Sequence, residues 1–133
     1  MRLWHEDIID KLPDRKTSGD PKKSQLNGLH RECCGMRGKG WGKKGGVVGY
    51  VWKYPYAYLY LYHKKVMHEL LCRGYNIDRR WLDSFYRGKK LGYDYSLEIS
   101  GHLKFDRTPI FPEHDEAYLQ ECIDNLRKKG VEL

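Results

Sequence analysis

Two adjacent charged residues have side chains suited to chemistry on a sugar or a phosphate. Arg31 and Glu32 lie in a segment that follows Ser24, a residue type favoured at helix N-termini. At 100° per residue, Arg31 faces away from the apolar stripe of this predicted helix and Glu32 lies at the edge of the stripe. A carboxylate at an apolar boundary can act as a general acid or stabilise a cation. Taken alone, such a pair is more typical of a solvated helix surface. The stripe consists of Leu26, Leu29, Cys33 and Met36.

The next segment is rich in glycine and basic residues. Residues 35–46 include six glycines, four basic residues and one tryptophan, a composition that predicts a loop over residues 35–49. Backbone without Cβ atoms can approach phosphates closely, and cationic side chains neutralise them. We therefore predict a DNA-contacting loop, with an ordinary flexible surface loop as the alternative. Its basic residues are Arg37, Lys39, Lys43 and Lys44.

The overall charge favours a nucleic acid partner. Twenty-five Lys and Arg against 18 Asp and Glu give a net charge of +7, which attracts phosphate backbones. The 133 residues fit a single domain, 1–133, and no apolar run approaches the ~20 residues of a membrane span. The start of the chain lacks the apolar region of a secretory signal, so we expect a cytoplasmic protein with no membrane partner.

The cysteines predict neither a metal site nor a cofactor. They form no C-x-x-C pair and lack the histidine spacing of a structural zinc site. We expect free thiols, while the adjacent Cys33 and Cys34 leave a thiol-redox or metal protein as an alternative. The four cysteines are Cys33, Cys34, Cys72 and Cys122.

Three main helices are predicted to form the domain. Besides the helix after Ser24, we predict one over about residues 56–73, ended by Gly74, and one over residues 115–129, followed by Gly130. Tyrosines on alternate positions of residues 50–62 would also suit a strand, but the apolar residues keep helical spacing. The fold class is therefore all-α, a compact single domain.

The remaining segments are predicted to be short or irregular. Residues 1–13 could form a short helix ended by Pro13, and the polar residues 14–24 form a loop. The segment up to Pro112 is interrupted by glycines and reads as turns around a possible helix at 79–86. Long basic and aromatic loops therefore join the three helices.

Several of these pieces occur in the order found in one enzyme family. The Arg31-Glu32 helix and the basic segment are followed by an aromatic helix ending Arg73-Gly74-Tyr75-Asn76-Ile77, and Phe111-Pro112-Glu113-His114 precedes the last helix. This arrangement resembles the pyrimidine-dimer DNA glycosylase (endonuclease V-type) family. The resemblance implies a metal-independent DNA glycosylase and AP lyase of base excision repair, which kinks duplex DNA and flips out a base. Its partner would be double-stranded DNA containing damaged or abasic sites.

The resemblance also implies roles for individual residues. The nucleophile is the α-amine of the first residue, here Met1, which forms an imine (a Schiff base), and the catalytic glutamate is Glu32. Arg2 and Arg31 match arginines of the family. Gln25 stands where the family has a histidine, and Gly35 stands where it has a basic residue, a difference for which the nearby Arg37 can compensate. The resulting set of DNA-binding residues is Arg2, Gln25, Arg31, Arg37, Lys39, Lys43 and Lys44.

Acid–base chemistry supports an α-amine as the nucleophile. Its ordinary pKa of about 7.7–8.0, against ~10.4 for lysine, leaves a larger neutral fraction at pH 7. We expect Met1 to be retained, because the bulky Arg2 disfavours its removal. A non-catalytic basic DNA- or RNA-binding module is the alternative function. We expect a monomer.

Overall fold

Helices account for the regular structure of the chain. The computed structural model describes residues 2–38, 46–99 and 109–133. Within these ranges no β-strand occurs, and Tyr86 and Tyr93 form an isolated bridge. The predicted all-α fold is therefore confirmed. Among the described residues, the α-helices are α1 (Arg15–Ser18), α2 (Gln25–Gly38), α3 (Tyr56–Cys72) and α4 (Glu116–Lys128), and the 3₁₀ helices are Glu6–Lys11, Pro21–Lys23, Gly46–Lys53 and Arg79–Leu82.

The core lies where α2 and the N-terminal 3₁₀ helix pack against α3. The predicted apolar stripe of α2 is buried, and Ile8, Ile9 and Leu12 of the N-terminal segment join the same cluster. Cys122 and Leu126 of α4 complete it. Burying this apolar surface is the main source of stability in a domain of this size.

The tyrosines of α3 explain how a period of two can occur in a helix. Tyr56 and Tyr60 are one turn apart and pack in a cluster with Ile99. Tyr58 and Tyr62, which lie about 200° around the helix from them, approach Phe111 with ring centroids 6.2 and 6.0 Å away. Alternate tyrosines therefore bury two opposite faces of α3. None of the described helices is long and apolar enough to span a bilayer.

Local signals set the ends of α3 and α4 close to the predicted positions. The carboxylate of Asp115 accepts a hydrogen bond from the backbone N–H of Tyr118 at 2.8 Å and caps α4. Gly74 and Gly130 follow the two helices with φ of 87° and 81°, values that favour glycine. The predicted helices over about 56–73 and 115–129 are confirmed.

Two segments predicted as loops are partly helical. Residues 14–24 contain α1, because Asp14 and Thr17 each cap the backbone N–H of the other. In the predicted loop over 35–49, α2 continues to Gly38 and a 3₁₀ helix begins at Gly46. Packing explains the extension of α2, since Arg37 is fully buried and Gly38 lies against Trp81. The helix predicted at 79–86 is shorter, Arg79–Leu82.

Candidate active site

A cleft opens where the N-terminal segment meets α2 and α4. Its volume is about 440 Å³. Three of the predicted site residues, Arg2, Gln25 and Glu32, line it together, although they are up to 30 positions apart in the chain. The remaining lining residues are Trp4, Gly28, Leu29, Asn125 and Lys129.

The orientation of α2 brings Glu32 to this cleft. The buried stripe of α2 faces the core, Arg31 is exposed, and Glu32 is half-buried at the boundary, as the helical wheel predicted. Gly28, one turn earlier, has no side chain to fill the cleft, and a Cβ there would lie 3.9 Å from Nη2 of Arg31. Arg31 therefore lies beside the cleft. No hydrogen bond or ion pair joins the carboxylate of Glu32 to another residue that the structure describes.

Two tyrosines hold the N-terminal segment in place. The Tyr118 hydroxyl donates to the Leu3 carbonyl at 2.6 Å, and the Tyr62 hydroxyl donates to the Trp4 carbonyl. Leu3 and Trp4 are themselves buried. The segment that leads to the first residue is therefore fixed to the body of the domain. Met1 itself, with its predicted role as nucleophile, lies outside the described residues.

Helix α4 supplies cleft residues that the sequence analysis did not single out. Asn125 and Lys129 line the cleft, and Nζ of Lys129 lies 5.6 Å from the centroid of the Trp4 ring. The available signal was the cluster of basic residues at the end of α4, which is also typical of a helix C-terminus. Besides Glu32, the charged residues that line the cleft are Arg2 and Lys129, and Arg2 is also paired with Glu121 of α4.

Arg37 is not placed to contact DNA. It is fully buried, and its guanidinium donates to the Tyr56 hydroxyl at 2.8 Å and to Nδ1 of His63 at 2.9 Å. Its other donors bind backbone carbonyls of the segment after α3, so none is left for a phosphate. The role of Arg37 is therefore structural, in place of the predicted DNA contact. These carbonyls belong to Trp81, Asp83 and Tyr86, at 2.8–3.0 Å.

Three of the predicted DNA contacts are lysines of the Gly/Lys-rich segment that follows α2. Lys39, Lys43 and Lys44 all lie outside the described residues. Gln25, by contrast, is at the first turn of α2, where its amide donates to the carbonyl of Lys22 at 3.3 Å and its side chain lines the cleft.

A second polar cluster lies between α2 and α3. Nδ1 of His30 is 2.9 Å from Nε2 of His63, and Sγ of Cys34 is 3.8 Å from Nε2 of His63. Because Arg37 donates to Nδ1 of His63, the neutral ring carries its proton on Nε2 and donates it to His30. A metal ion at His63 would have to displace that proton. Spacing along the chain did not reveal this cluster, since His63 is contributed by the facing helix.

Burial raises the thiol pKa of both adjacent cysteines, Cys33 and Cys34. Burial, only partly offset by the charge of Arg37, raises the pKa of Cys34 to about 12. Cys33 is fully buried, and burial also raises its pKa. Because the thiolate is the nucleophilic and redox-active form, these values argue against the thiol-redox alternative.

A comparison with protein families decides how this site is interpreted. The family model for pyrimidine dimer DNA glycosylases matches residues 1–83, more than half of the chain. The chain belongs to this family. The match includes Arg2, Gln25, Arg31 and Glu32, while α4 lies beyond it. No curated protein and no solved structure matched the chain. Members of the family are DNA repair glycosylases, and their substrate is DNA.

Proposed function

We propose that this family member is a DNA glycosylase with AP lyase activity, in which the α-amine of Met1 is the nucleophile and Glu32 is the catalytic carboxylate. The observation that carries the proposal is the cleft that holds Arg2 and Glu32 together. Arg2 lines the cleft and is covalently joined to residue 1. The proposed nucleophile is therefore within one residue of the cleft lining. We propose pyrimidine dimers or abasic sites in double-stranded DNA as the substrate.

The proposed reaction uses groups of the chain alone. The neutral amine donates its electron pair to C1′ of the sugar, and the bond from C1′ to the base breaks with its electrons leaving on the base. The bond between C1′ and the ring oxygen O4′ then breaks with its electrons on O4′, which takes up the proton that the nitrogen loses, and an imine forms between the nitrogen and C1′. Removal of a proton from C2′ then allows the bond between C3′ and the phosphate oxygen to break. Ionised Glu32 would stabilise the cationic sugar and accept the C2′ proton.

The cations around the cleft would hold the DNA backbone on either side of the reacting sugar. Arg2 and Lys129 lie at the cleft and Arg31 lies beside it, so phosphates can be neutralised without displacing Glu32. We propose that Gln25 and Asn125 donate hydrogen bonds to sugar or phosphate oxygens. Lys39, Lys43 and Lys44 would extend this contact surface along the duplex.

Blocking the amine tests the proposal. Wild-type protein, incubated with abasic duplex DNA and sodium borohydride, should form a covalent adduct because borohydride reduces the imine. Acetylation of the N-terminus, or its extension by an uncleaved tag, should abolish the adduct, since an amide nitrogen is not nucleophilic. Gel shifts should show that binding largely survives, because only one of many positive charges is lost.

The matched control changes the side chain of the first residue and keeps a free amine. Such a variant should still form the adduct, because the reacting atom belongs to the backbone. If the blocked protein forms the adduct as well as wild type, the nucleophile is a lysine. In that case Lys129, which lines the cleft, becomes the first candidate, ahead of Lys39, Lys43 and Lys44.

A further inference from the structure

The face of α4 towards the N-terminal segment holds two successive residues of that segment. The Tyr118 hydroxyl donates to the Leu3 carbonyl at 2.6 Å. The guanidinium of Arg2 lies over the Tyr118 ring, 5.7 Å from its centroid. Glu121, three positions further along α4, pairs with Nη1 of Arg2 at 3.2 Å. Tyr118 therefore contacts the main chain of Leu3 and the side chain of Arg2, the residue before it.

The Tyr118 side chain is suited to hold a fixed position. Its ring is half-buried and stacks on the buried His114 with centroids 5.0 Å apart and planes 23° apart. Burial raises the pKa of its hydroxyl to about 12. The hydroxyl is therefore protonated across the working pH range and donates to Leu3 throughout it.

The anchored carbonyl is close to the proposed nucleophile along the chain. One N–Cα bond of ~1.46 Å and two Cα–Cα steps of ~3.8 Å separate the amine of residue 1 from Cα of Leu3, so the two atoms can lie no more than about 9 Å apart. Few backbone torsions separate the amine from an anchored atom, and each freed residue adds conformational freedom that the reaction geometry must remove.

We propose that Tyr118 is a positioning residue for the N-terminal amine: by fixing Leu3 and supporting Arg2, it limits the positions that the amine can take relative to the cleft lined by Glu32. This inference rests on the proposed function. It assigns a role in catalysis to α4, which lies outside the residues that match the family model. Tyr118 is not among the residues that line the cleft, so its role runs through the N-terminal segment.

Replacing Tyr118 with phenylalanine isolates the hydroxyl. Y118F keeps the ring under Arg2 and its stacking on His114, but leaves the Leu3 carbonyl without its donor. A displacement of the reacting group by about 1 Å can lower a rate by roughly 100-fold. We therefore expect the rate of borohydride trapping at saturating abasic DNA to fall by about 10- to 100-fold, with the dissociation constant for DNA unchanged.

Y60F is the matched control. Tyr60 also donates its hydroxyl to a backbone carbonyl, that of Leu82 at 2.7 Å, but it lies on the face of α3 that packs with Ile99, in a separate cluster from the N-terminal segment. Both variants lose one hydroxyl-to-carbonyl hydrogen bond, and only Y118F should lose trapping rate. Urea unfolding followed by circular dichroism gives the folded fraction of each variant, so that the rates refer to folded protein.

The possible outcomes separate this inference from the proposed function. A wild-type trapping rate in Y118F, a loss confined to DNA affinity, or an equal loss in Y118F and Y60F would each overturn the positioning role while leaving the amine mechanism intact. If wild-type protein with a free N-terminus forms no adduct, the proposed function fails and the positioning role fails with it.

Discussion

At the scale of single residues, Glu32 is an anionic group in a cleft whose other charged members, Arg2 and Lys129, are cationic. An ionised carboxylate at this position can stabilise a cationic sugar or accept a proton. A neutral amide of the same shape would keep the packing of α2 and remove both abilities.

We therefore expect Glu32→Gln to lower strand cleavage by roughly 10²- to 10⁴-fold, while DNA binding stays nearly intact or tightens slightly through the loss of a negative charge. Cleavage of abasic duplex at saturating protein and a gel shift measure the two quantities. Glu98→Gln is the control, because Glu98 is exposed and is not part of the cleft lining. Wild-type cleavage by the Glu32→Gln variant would refute the assignment.

At the scale of elements, Arg37 determines how α2 sits on the rest of the domain. Its hydrogen bonds connect α2 to α3 through Tyr56 and His63, and to the segment after α3 through three carbonyls. The return bond from Nε of Arg87 to the Arg37 carbonyl, at 2.9 Å, ties the same segment to the end of α2. Because Glu32 is on α2 as well, this network also fixes the rotation of the helix that carries the proposed catalytic carboxylate.

The second prediction is that Arg37→Lys lowers the free energy of unfolding by about 3–5 kcal/mol, since lysine cannot reach all five acceptors and leaves buried carbonyls unpaired. Urea denaturation at neutral pH measures the change. Arg31→Lys, an exposed substitution on the same helix, should change it by less than about 0.5 kcal/mol. An Arg37→Lys variant with wild-type stability and weakened DNA binding would restore the DNA contact that the sequence suggested.

At the scale of the whole molecule, the buried histidines make stability depend on pH. Burial, together with the charges of Arg37 and His30, holds the pKa of His63 well below its usual value of 6.5. Burial and neighbouring arginines lower the pKa of His30 as well. The unfolded chain therefore takes up protons near pH 6.5 that the folded chain does not bind. The contribution of these histidines to the free energy of unfolding is fully present above that pH and is lost as the pH falls below it.

We expect the free energy of unfolding to fall by about 1.4 kcal/mol per pH unit for each such histidine below pH 6.5. Urea denaturation at a series of pH values checks this. His63→Gln should reduce the slope, and His68→Gln, which changes an exposed histidine, should leave it unchanged. Equal slopes in wild type and His63→Gln would contradict the prediction.

A second loss of stability should follow at lower pH. Burial raises the pKa of Glu6, but contacts with His114, the backbone N–H groups of Ile110 and Phe111, and Lys65 outweigh it and bring the pKa from 4.5 to about 2. The stabilisation from Glu6 is therefore present above pH 4.5 and disappears as the pH falls towards 2. Because Glu6 holds the 3₁₀ helix of the N-terminal segment to residues near α4, this loss would also loosen the approach to the cleft.

The sequence by itself determined those features that depend on local pattern. The apolar stripe of α2 and the wheel position of Glu32 follow from a period of 3.6 residues. The ends of α3 and α4 follow from Gly74, Asp115 and Gly130, whose effects act within one turn. The family, too, was recognisable from the order of short motifs, and the match over residues 1–83 confirms it.

Only the tertiary structure decided which side chains meet. A helical period shows which face a residue occupies but not what packs against that face. Arg37 was predicted to bind DNA because its neighbours in sequence are glycines and lysines, yet its partners are two side chains of α3 and three backbone carbonyls, 19 to 49 positions away. The cleft joins Arg2 at one end of the chain to Lys129 near the other. Contacts of this kind depend on the packing of whole helices, which no local pattern of residues encodes.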